Sequence, residues 1–275
     1  MTGLTPGAAK KALGQHFLFD AGLLKRIALA GGQVEGKTVI EIGPGPGGLT
    51  RALLDAGVKK LIAVELDDRF AEGLFGWPEA SNGRLHVVRG DAREIDEARL
   101  VKEAGGDLPA MLVANLPYNV GTPLVVKWLK AGANQAEQWR GPMVLMFQKE
   151  VAQRICAAPD DDHYGRLAVL AHAGMKPRMA MVIPPGAFRP PPKVDSAVVV
   201  LTPLPATEAF ADLDALESIT SAAFGQRRKM LRSALKGLAG GLEALTAARI
   251  DPTRRAETLS QEEFRKLAAA WRKTL

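Results

Sequence analysis

The sequence predicts an α/β protein built on a doubly wound, mostly parallel sheet of seven strands, followed by a small all-α C-terminal domain. Apolar, β-branched runs alternate with amphipathic helical patterns through most of the chain. These runs are almost continuously apolar, as expected for strands covered on both faces. After the proline-containing residues 202–205 the composition becomes helical. We therefore predict a flexible basic arm over residues 1–20, an α/β domain over 21–204 and a helical domain over 205–275.

The first helix is predicted to begin after Asp20, a suitable N-cap, and to run through Leu23, Leu24 and Ile27. A basic and apolar segment, residues 10–19, stands before it. The pattern of this segment alone indicates a hydrophobic staple that packs against the helix.

A glycine-rich loop at residues 43–48 connects an apolar strand to the second predicted helix. Glycine permits positive φ and close ligand approach, and the helix start adds unpaired N–H donors and a positive dipole end. A nucleotide or nucleoside is therefore the expected ligand. Gly43, Gly45 and Gly48 also fit the dinucleotide fingerprint, and the acid Glu65 follows Gly45 by 20 residues. The loop alone leaves both a nicotinamide enzyme and a methyltransferase open.

The ends of successive strands are predicted to form one pocket. In a doubly wound sheet, ligands bind outside the carboxyl ends of the strands. Gly43 and Glu65 fall at such ends, and so do Asp91 and Asn115. The last two strands are joined by a short, proline-rich connection, which favours an antiparallel pair. After the first strand, the remaining strands are predicted at residues 61–67, 85–91, 110–118, 142–147, 179–183 and 197–201.

Two carboxylates narrow the choice of cofactor. Glu65 can accept hydrogen bonds from both hydroxyls of a ribose, which suits any adenosine cofactor. Asp91 can accept a hydrogen bond from the exocyclic amine of an adenine, and a nicotinamide site has less need of this second acid. The two acids together favour S-adenosylmethionine.

The sequence Asn115, Leu116, Pro117 and Tyr118 predicts the reaction. An exocyclic adenine amine is a poor nucleophile because its lone pair is delocalised into the ring. If the Asn115 side-chain oxygen and the Leu116 carbonyl each accept an N–H, the lone pair is directed at a sulfonium methyl. Pro117 has a fixed φ and helps to orient that carbonyl, while Tyr118 can stack on the unstacked base. Catalysis then rests on positioning and electrostatics, and no strong general base is required.

The net charge of +6 favours a polyanionic partner such as RNA. Arg228, Arg232 and Lys236 stand at i, i+4 and i+8 of a predicted helix, with Arg227 and Lys229 beside them. Because this segment contains no acid, we predict that its basic stripe contacts phosphates.

Composition excludes several other classes of protein. No run of about 18 apolar residues is present, which argues against a membrane span. Residues 1–9 lack an apolar signal core, so we expect a cytoplasmic protein. Cys156 is the single cysteine, and no cysteine or histidine cluster has zinc-ligand spacing. We expect no metal, and a monomer is the default expectation.

Several motifs together carry a resemblance to a known family. They lie at residues 14–18, 41–50, 65, 90–92, 115–119, 147–152 and 188–196. Over roughly residues 10–236 the chain resembles the small-subunit ribosomal RNA adenine dimethyltransferases of the KsgA type. The resemblance implies a class I, Rossmann-like methyltransferase fold. It also implies dimethylation of the N6 atoms of two adjacent adenosines, in a hairpin loop near the 3′ end of 16S rRNA in an assembling small subunit.

The resemblance also implies roles for individual residues. The N-terminal arm would close over the methionine end of S-adenosylmethionine through His16 and Leu18, and Gln15 would also belong to the cofactor site. Ala92 would join Asp91 in the cofactor site. Phe188 would pack against the target adenine, with Tyr118 as its partner. The basic residues assigned to RNA contact are Lys10, Lys11, Arg227, Arg228, Lys229, Arg232 and Lys236.

Two alternatives stay open at this point. The first is a large-subunit rRNA adenine methyltransferase of the macrolide-resistance type, which shares the pocket. Asn119 and the helical C-terminal region favour the small-subunit group. The second is an RNA-binding ribosome-assembly factor that has lost the chemistry, and the intact residues 115–118 and glycine loop argue against it.

Overall fold

The computed structural model describes residues 16–116, 121–131 and 140–275. Its strands are β1 (Phe17–Leu18), β2 (Thr38–Ile42), β3 (Lys60–Glu65), β4 (Leu85–Arg89), β5 (Ala110–Asn115), β6 (Arg140–Gln148), β7 (Met175–Ile183), β8 (Phe188–Arg189) and β9 (Ser196–Pro203). Its helices are α1 (Ala21–Ala28), α2 (Gly48–Asp55), α3 (Asp68–Phe75), α4 (Pro78–Ser81), α5 (Glu97–Glu103), α6 (Gly121–Ala131), α7 (Lys149–Cys156), α8 (Arg166–Gly174), α9 (Leu213–Gly225), α10 (Leu231–Ala234), α11 (Gly241–Ala247) and α12 (Gln261–Arg272).

The predicted doubly wound, mostly parallel sheet is confirmed. Within the described residues, seven strands pair in the order β4-β3-β2-β5-β6-β9-β7. The β4, β3, β2, β5 and β6 strands run parallel, and β9 pairs antiparallel with β6. Strand order reverses on either side of β2, so the carboxyl ends of β2 and β5 lie at the switch point where ligands bind in such sheets.

The central strand β2 explains why the strands read as continuous apolar runs. All five of its residues are buried, because neighbouring strands and covering helices exclude water from both faces. The packing of α1 against the sheet is equally close. A Cβ atom added at Gly31, just after α1, would lie 2.7 Å from the Val144 side chain of β6.

The edge strand β7 begins earlier than predicted, at Met175 rather than at residue 179. The sequence obscures this beginning because Pro177 interrupts the run. A proline lacks the N–H that a central strand needs, but β7 lies at the edge of the sheet, where no ladder bond is lost.

The described residues group into two compact units. The first contains the described residues up to 125, together with 140–152 and 178–203. The second contains 126–131, 153–177 and 204–275.

The second unit has an aromatic centre of its own. The Phe224 ring stacks on Phe264, with 5.5 Å between ring centroids, and meets Tyr164 edge to face. The Tyr164 hydroxyl donates a hydrogen bond to the Leu259 carbonyl at 3.1 Å. Helix α12 begins at a capping box formed by Ser260 and Glu263. Among the described residues, no helix is long and apolar enough to cross a membrane.

The prediction of one basic helix across residues 222–236 is wrong. Helix α9 ends at Gly225, and the chain turns before α10 begins at Leu231. Met230 is extended and pairs with Arg255 in an isolated β-bridge, which is incompatible with a continuous helix. The basic residues of this segment therefore do not form a helical stripe with a four-residue period. They remain exposed on a turn, on α10 and just beyond it: Arg227, Arg228, Lys229, Arg232 and Lys236.

Candidate active site

The glycine loop after β2 has the backbone conformation that its composition predicts. Gly43, Gly45 and Gly47 have φ values of 70°, 54° and 88°, a region that favours glycine. Helix α2 then begins at Gly48. Gly45 has a second reason to lack a side chain, because a Cβ atom there would lie 2.8 Å from the Phe17 ring. The loop is therefore closed on one side by an aromatic side chain of β1.

A cavity opens at the carboxyl ends of β2, β3 and β5, where the sequence places the ligand. It brings together residues that were predicted separately for the cofactor and for the target base. The structure does not bring all of them together, because Asp91 and Ala92 do not line this cavity. Gln15, Pro117 and Tyr118 lie outside the described residues, as do Lys10 and Lys11. The predicted residues that line the cavity are His16, Leu18, Gly43, Gly45, Glu65, Asn115, Leu116 and Phe188.

Glu65 lies at the end of β3 and holds the glycine loop. One carboxylate oxygen accepts a hydrogen bond from the Gly45 N–H at 2.9 Å, and the other accepts from the Asp67 N–H at 2.8 Å. Burial raises the pKa of the Glu65 carboxyl above its ordinary value, and these backbone donors act in the opposite direction. Each oxygen has a second lone pair, so Glu65 can still accept from ribose hydroxyls.

Asp91 follows β4, as predicted, but its carboxylate is engaged by a residue that sequence reasoning missed. The Arg93 guanidinium Nε donates to both carboxylate oxygens, at 3.0 and 2.9 Å, and the Arg93 N–H closes a local turn at 2.9 Å. The signal in the sequence was an arginine two residues after the acid. An adenine amine that reaches Asp91 would therefore share this carboxylate with Arg93.

Asn115, the last residue of β5, is held by the N-terminal segment. Its side-chain Nδ2 donates to the His16 carbonyl at 3.1 Å. The His16 ring lies in turn with Nδ1 2.8 Å from the Pro190 carbonyl oxygen. The carboxamide oxygen is the acceptor of this side chain and can accept an N–H from a ligand. Leu116, the next residue, is buried beside it.

The segment around β1 forms a ribbon with the proline-rich connection. β1 and β8 pair antiparallel, with Leu18 opposite Phe188 and Phe17 opposite Arg189. Residues 17 and 18 are therefore part of a strand rather than of a flexible arm. Phe188 is buried in the cavity wall, and its ring meets the His16 ring edge to face. The residues that the resemblance assigned to the cofactor and to the adenine thus form one wall.

Glu41 is a further residue of the site that sequence reasoning did not assign. It lies within β2, is 1% exposed, and lines the cavity. Burial raises the pKa of its carboxyl to about 8, the nearby Thr50 hydroxyl partly offsets this, and the charge of Glu65 adds to it. Among the described residues, its Oε2 atom has no hydrogen-bond partner. An acid inside an otherwise apolar strand, two residues before the glycine loop, was the available signal.

The chemistry of this wall fits S-adenosylmethionine. Glu65 lines the cavity and can accept hydrogen bonds from the hydroxyls of a ribose, and the Glu41 carboxyl adds a polar group to the same lining. The apolar side chains of Phe17, Leu18 and Leu24 complete the lining. Within the described ranges, no group of histidine, cysteine or acidic residues could hold a metal ion. The fold and the site define a class I methyltransferase that depends on S-adenosylmethionine.

Comparisons with known proteins agree with this class. The sequence profile of the family described as "Ribosomal RNA adenine dimethylase" matches residues 7–273. The chain belongs to this family and is an rRNA adenine dimethyltransferase. A protein named ribosomal RNA small subunit methyltransferase A, from Gluconobacter oxydans (strain 621H), is 52% identical over 269 residues. The match covers 94% of this chain and 82% of that relative.

Solved structures are similar over nearly the whole chain. A dimethyladenosine transferase from Plasmodium falciparum has a TM-score of 0.74 and 25% identity, covering 94% of this chain and 98% of that one. A 23S rRNA methyltransferase, ErmE, has a TM-score of 0.65 and 23% identity, covering 93% of this chain and 99% of that one. The second likeness concerns the fold alone. The predicted family is confirmed, and the roles of individual site residues remain predictions.

Proposed function

We propose that this chain transfers methyl groups from S-adenosylmethionine to N6 of two adjacent adenosines in small-subunit rRNA. The target is a hairpin loop near the 3′ end of 16S rRNA, in a subunit that is still being assembled in the cytoplasm, and the enzyme acts as a monomer. The observation that carries the proposal is the fixed orientation of Asn115, whose Nδ2 bonds to the His16 carbonyl. Asn115 lines the cavity, where its carboxamide oxygen is the acceptor that it offers to an amine.

The residues of the cavity suggest how an adenine amine becomes reactive. The Asn115 oxygen and the Leu116 carbonyl each accept an N–H, which turns the nitrogen lone pair away from the ring. Phe188 packs on the base that has left its stack. Glu65 would hold the ribose of the cofactor, and its carboxylate accepts a hydrogen bond from the Gly45 N–H of the glycine loop. When bound, S-adenosylmethionine supplies an electrophilic methyl on a sulfonium.

No side chain of the site has to act as a strong base. The amine becomes acidic only as it gains positive charge during methyl transfer. Hydrogen bonds from this nitrogen to Asn115 and Leu116 strengthen as that charge develops, so they stabilise the transition state more than the ground state. The same two acceptors cannot both be used after one methyl replaces an N–H, so the second transfer relies more on packing against Phe188.

We further propose a division of labour along the chain. Residues 21–204 bind the cofactor and the target base, and residues 205–275 bind RNA. The exposed basic segment after α9 supports this division. Arg227 is partly engaged by the protein, since it donates to the Asp162 carbonyl and lies 3.6 Å from Glu257. Arg228, Lys229, Arg232 and Lys236 are exposed cations that suit phosphate contact.

A small-subunit target is favoured over the alternatives. The relative with 52% identity is named for the small subunit, whereas the likeness to a 23S rRNA enzyme is at 23% identity. A factor without chemistry would have no need for an oriented Asn115 beside a cavity with two acids.

The test is to incubate the protein with labelled S-adenosylmethionine and undermodified small subunits, and then to analyse the nucleosides. We expect two dimethyladenosines per subunit at adjacent positions near the 3′ end. If large subunits offered as substrate were labelled instead, the result would support the macrolide-resistance type of enzyme. Tight subunit binding without any label would support the assembly factor.

A further inference from the structure

A second groove lies beside the β1–β8 ribbon, in the same unit as the cavity. The start of α1 forms one side, and the end of β7 with the connection to β8 forms the other. The groove encloses about 860 Å³, within the range of ligand sites. The residues of its lining that matter here are Phe19, Asp20, Arg26, Val182, Ile183 and Arg189.

The two cations of the groove are not neutralised by nearby acids. Arg26 is exposed on the last turn of α1, and Arg189 is exposed on β8. Among the described residues, no carboxylate lies within 4 Å of the Arg26 or the Arg189 guanidinium, so neither arginine forms a salt bridge. The acid of the groove, Asp20, accepts a hydrogen bond from the Leu23 N–H at 2.7 Å and caps α1. The lining is therefore net positive and complementary to phosphate.

Arg189 is also held in position. Its Nη1 donates to the Phe188 carbonyl at 2.9 Å and to the Gly186 carbonyl at 3.0 Å. Both bonds are made by Nη1, so Nη2 and Nε can still donate to an anion. A guanidinium fixed in this way loses less side-chain entropy when it binds an anion.

The lining that holds these cations also contains exposed apolar side chains. The Phe19 side chain is 48% exposed and Val182 is 46% exposed, although both are large and apolar. An exposed aromatic ring flanked by cations is the arrangement with which proteins bind single-stranded nucleic acid, because every base has a face that can stack.

The groove and the catalytic cavity are lined by neighbouring residues of the ribbon. Leu18 and Phe188 line the cavity, and the residue that follows each of them, Phe19 and Arg189, lines the groove. An RNA strand whose adenine enters the cavity past Phe188 would bring its neighbouring nucleotide close to this ribbon.

We propose that the groove binds the nucleotide next to the target adenosine in single-stranded rRNA, with its base on Phe19 and its phosphates at Arg26 and Arg189. This inference rests on the proposed function and adds a substrate subsite to it. It concerns the first unit of the chain, whereas the basic segment after α9 lies in the second.

The test compares Phe19→Ala and Arg26→Glu with the matched controls Phe75→Ala and Lys37→Glu. Phe75 is similarly exposed at the end of α3, and Lys37 is exposed just before β2, at the end of this central strand that lies away from the cavity. Binding of a hairpin RNA is titrated at several salt concentrations, and methylation of undermodified small subunits is measured beside it. Calorimetry with S-adenosylmethionine and thermal unfolding show whether each variant is folded.

We expect Phe19→Ala to weaken RNA binding about tenfold, the loss of one stacked base. Arg26→Glu should reduce the magnitude of the slope of log K against log salt by about 0.7 or more, the value for one phosphate contact with a single strand. Cofactor affinity should not change in either variant, and the two controls should match the wild type. An RNA carrying 5-iodouridine beside the target adenosine should crosslink to Phe19 upon irradiation, which tests the wild-type protein directly.

The inference would be overturned if Phe19→Ala and Arg26→Glu bound RNA as tightly as the two control variants and no crosslink to Phe19 formed. A groove that serves a ribosomal protein would also overturn it, and would appear as reduced subunit methylation with unchanged binding of hairpin RNA. Failure of the proposed function is a separate outcome, namely the absence of dimethyladenosine with the wild-type enzyme. The titration and the crosslink report on the groove even then.

Discussion

The Asn115 side chain donates from Nδ2 to the main-chain carbonyl of His16, at 3.1 Å, and so joins the end of β5 to the residue before β1. The partner of Asn115 is a backbone atom, so this bond does not depend on which side chain stands at position 16. The His16 imidazole makes a different contact, with Nδ1 2.8 Å from the Pro190 carbonyl oxygen. Through these two bonds, the N-terminal segment links the end of β5 to the residues around β8, the strand that contains Phe188.

The first prediction concerns Asn115→Ala. The variant loses the carboxamide oxygen that accepts from the adenine amine, and we expect the rate of methyl transfer to fall at least about 100-fold. Cofactor affinity should largely persist, because Glu65 and the glycine loop remain. Single-turnover transfer and calorimetry with S-adenosylmethionine measure the two effects. Asn82→Ala, in an exposed turn, is the control, and full activity of Asn115→Ala would refute the mechanism.

The second prediction concerns the exposed cations after α9. Reversal of Arg228, Arg232 and Lys236 to Glu should weaken binding to small subunits, because each contact with phosphate releases counterions. We expect the magnitude of the slope of log K against log salt to fall by about 2 to 3. The affinity for S-adenosylmethionine should be retained. The helix break at Gly225 does not change this expectation, since all three residues are exposed. Unchanged subunit affinity across a salt titration would remove this segment from the RNA interface.

The third prediction concerns the pH dependence of stability. The folded-state pKa of Glu41 is raised to about 8, so the native protein retains a proton that the unfolded chain releases near its ordinary pKa of 4.5. The contribution of Glu41 to stability is therefore complete below about pH 4.5 and is lost as the pH rises toward 8. In Glu41→Gln this loss disappears.

Urea unfolding at several pH values tests this expectation. Between pH 5 and pH 8, the free energy of unfolding of the wild type should fall relative to Glu41→Gln by up to about 1.4 kcal/mol per pH unit. Glu94→Gln, at an exposed position, is the matched control. Parallel curves for the wild type and Glu41→Gln would mean that Glu41 is already ionised in the native state.

The sequence was sufficient for features that depend on local pattern. The glycine loop, the strand ends at Glu65 and Asn115, and the parallel sheet follow from apolar periodicity and turn residues. The partners of these residues depend on tertiary contacts between distant segments. Position 16 lies 99 residues from Asn115, and no local pattern indicates that its carbonyl accepts the Asn115 amide.

Other features were missed for physical reasons of the same kind. The basic segment reads as a helix because its propensities are helical, yet pairing of Met230 with Arg255 ends the helix. Arg93 competes with a ligand for the Asp91 carboxylate through a short turn after β4, which the prediction of the strand alone does not include. Full burial of Glu41 follows from the coverage of both faces of β2, and an isolated acid in a strand does not reveal it.

The last prediction separates two requirements for glycine at position 45. Gly45→Ala must place alanine at a φ of 54° and a Cβ atom 2.8 Å from the Phe17 ring, whereas Gly83→Ala meets a φ of 79° with open space around it. We expect Gly83→Ala to lower the free energy of unfolding by about 1 kcal/mol through backbone strain alone. Gly45→Ala should cost about 3 kcal/mol, because it adds steric overlap with the ring. It should also weaken S-adenosylmethionine binding, since a displaced Phe17 disturbs the loop that Glu65 holds. The double variant Phe17→Leu with Gly45→Ala should recover part of the stability that Gly45→Ala loses. Equal losses of stability in Gly45→Ala and Gly83→Ala would show that the Phe17 contact is unimportant.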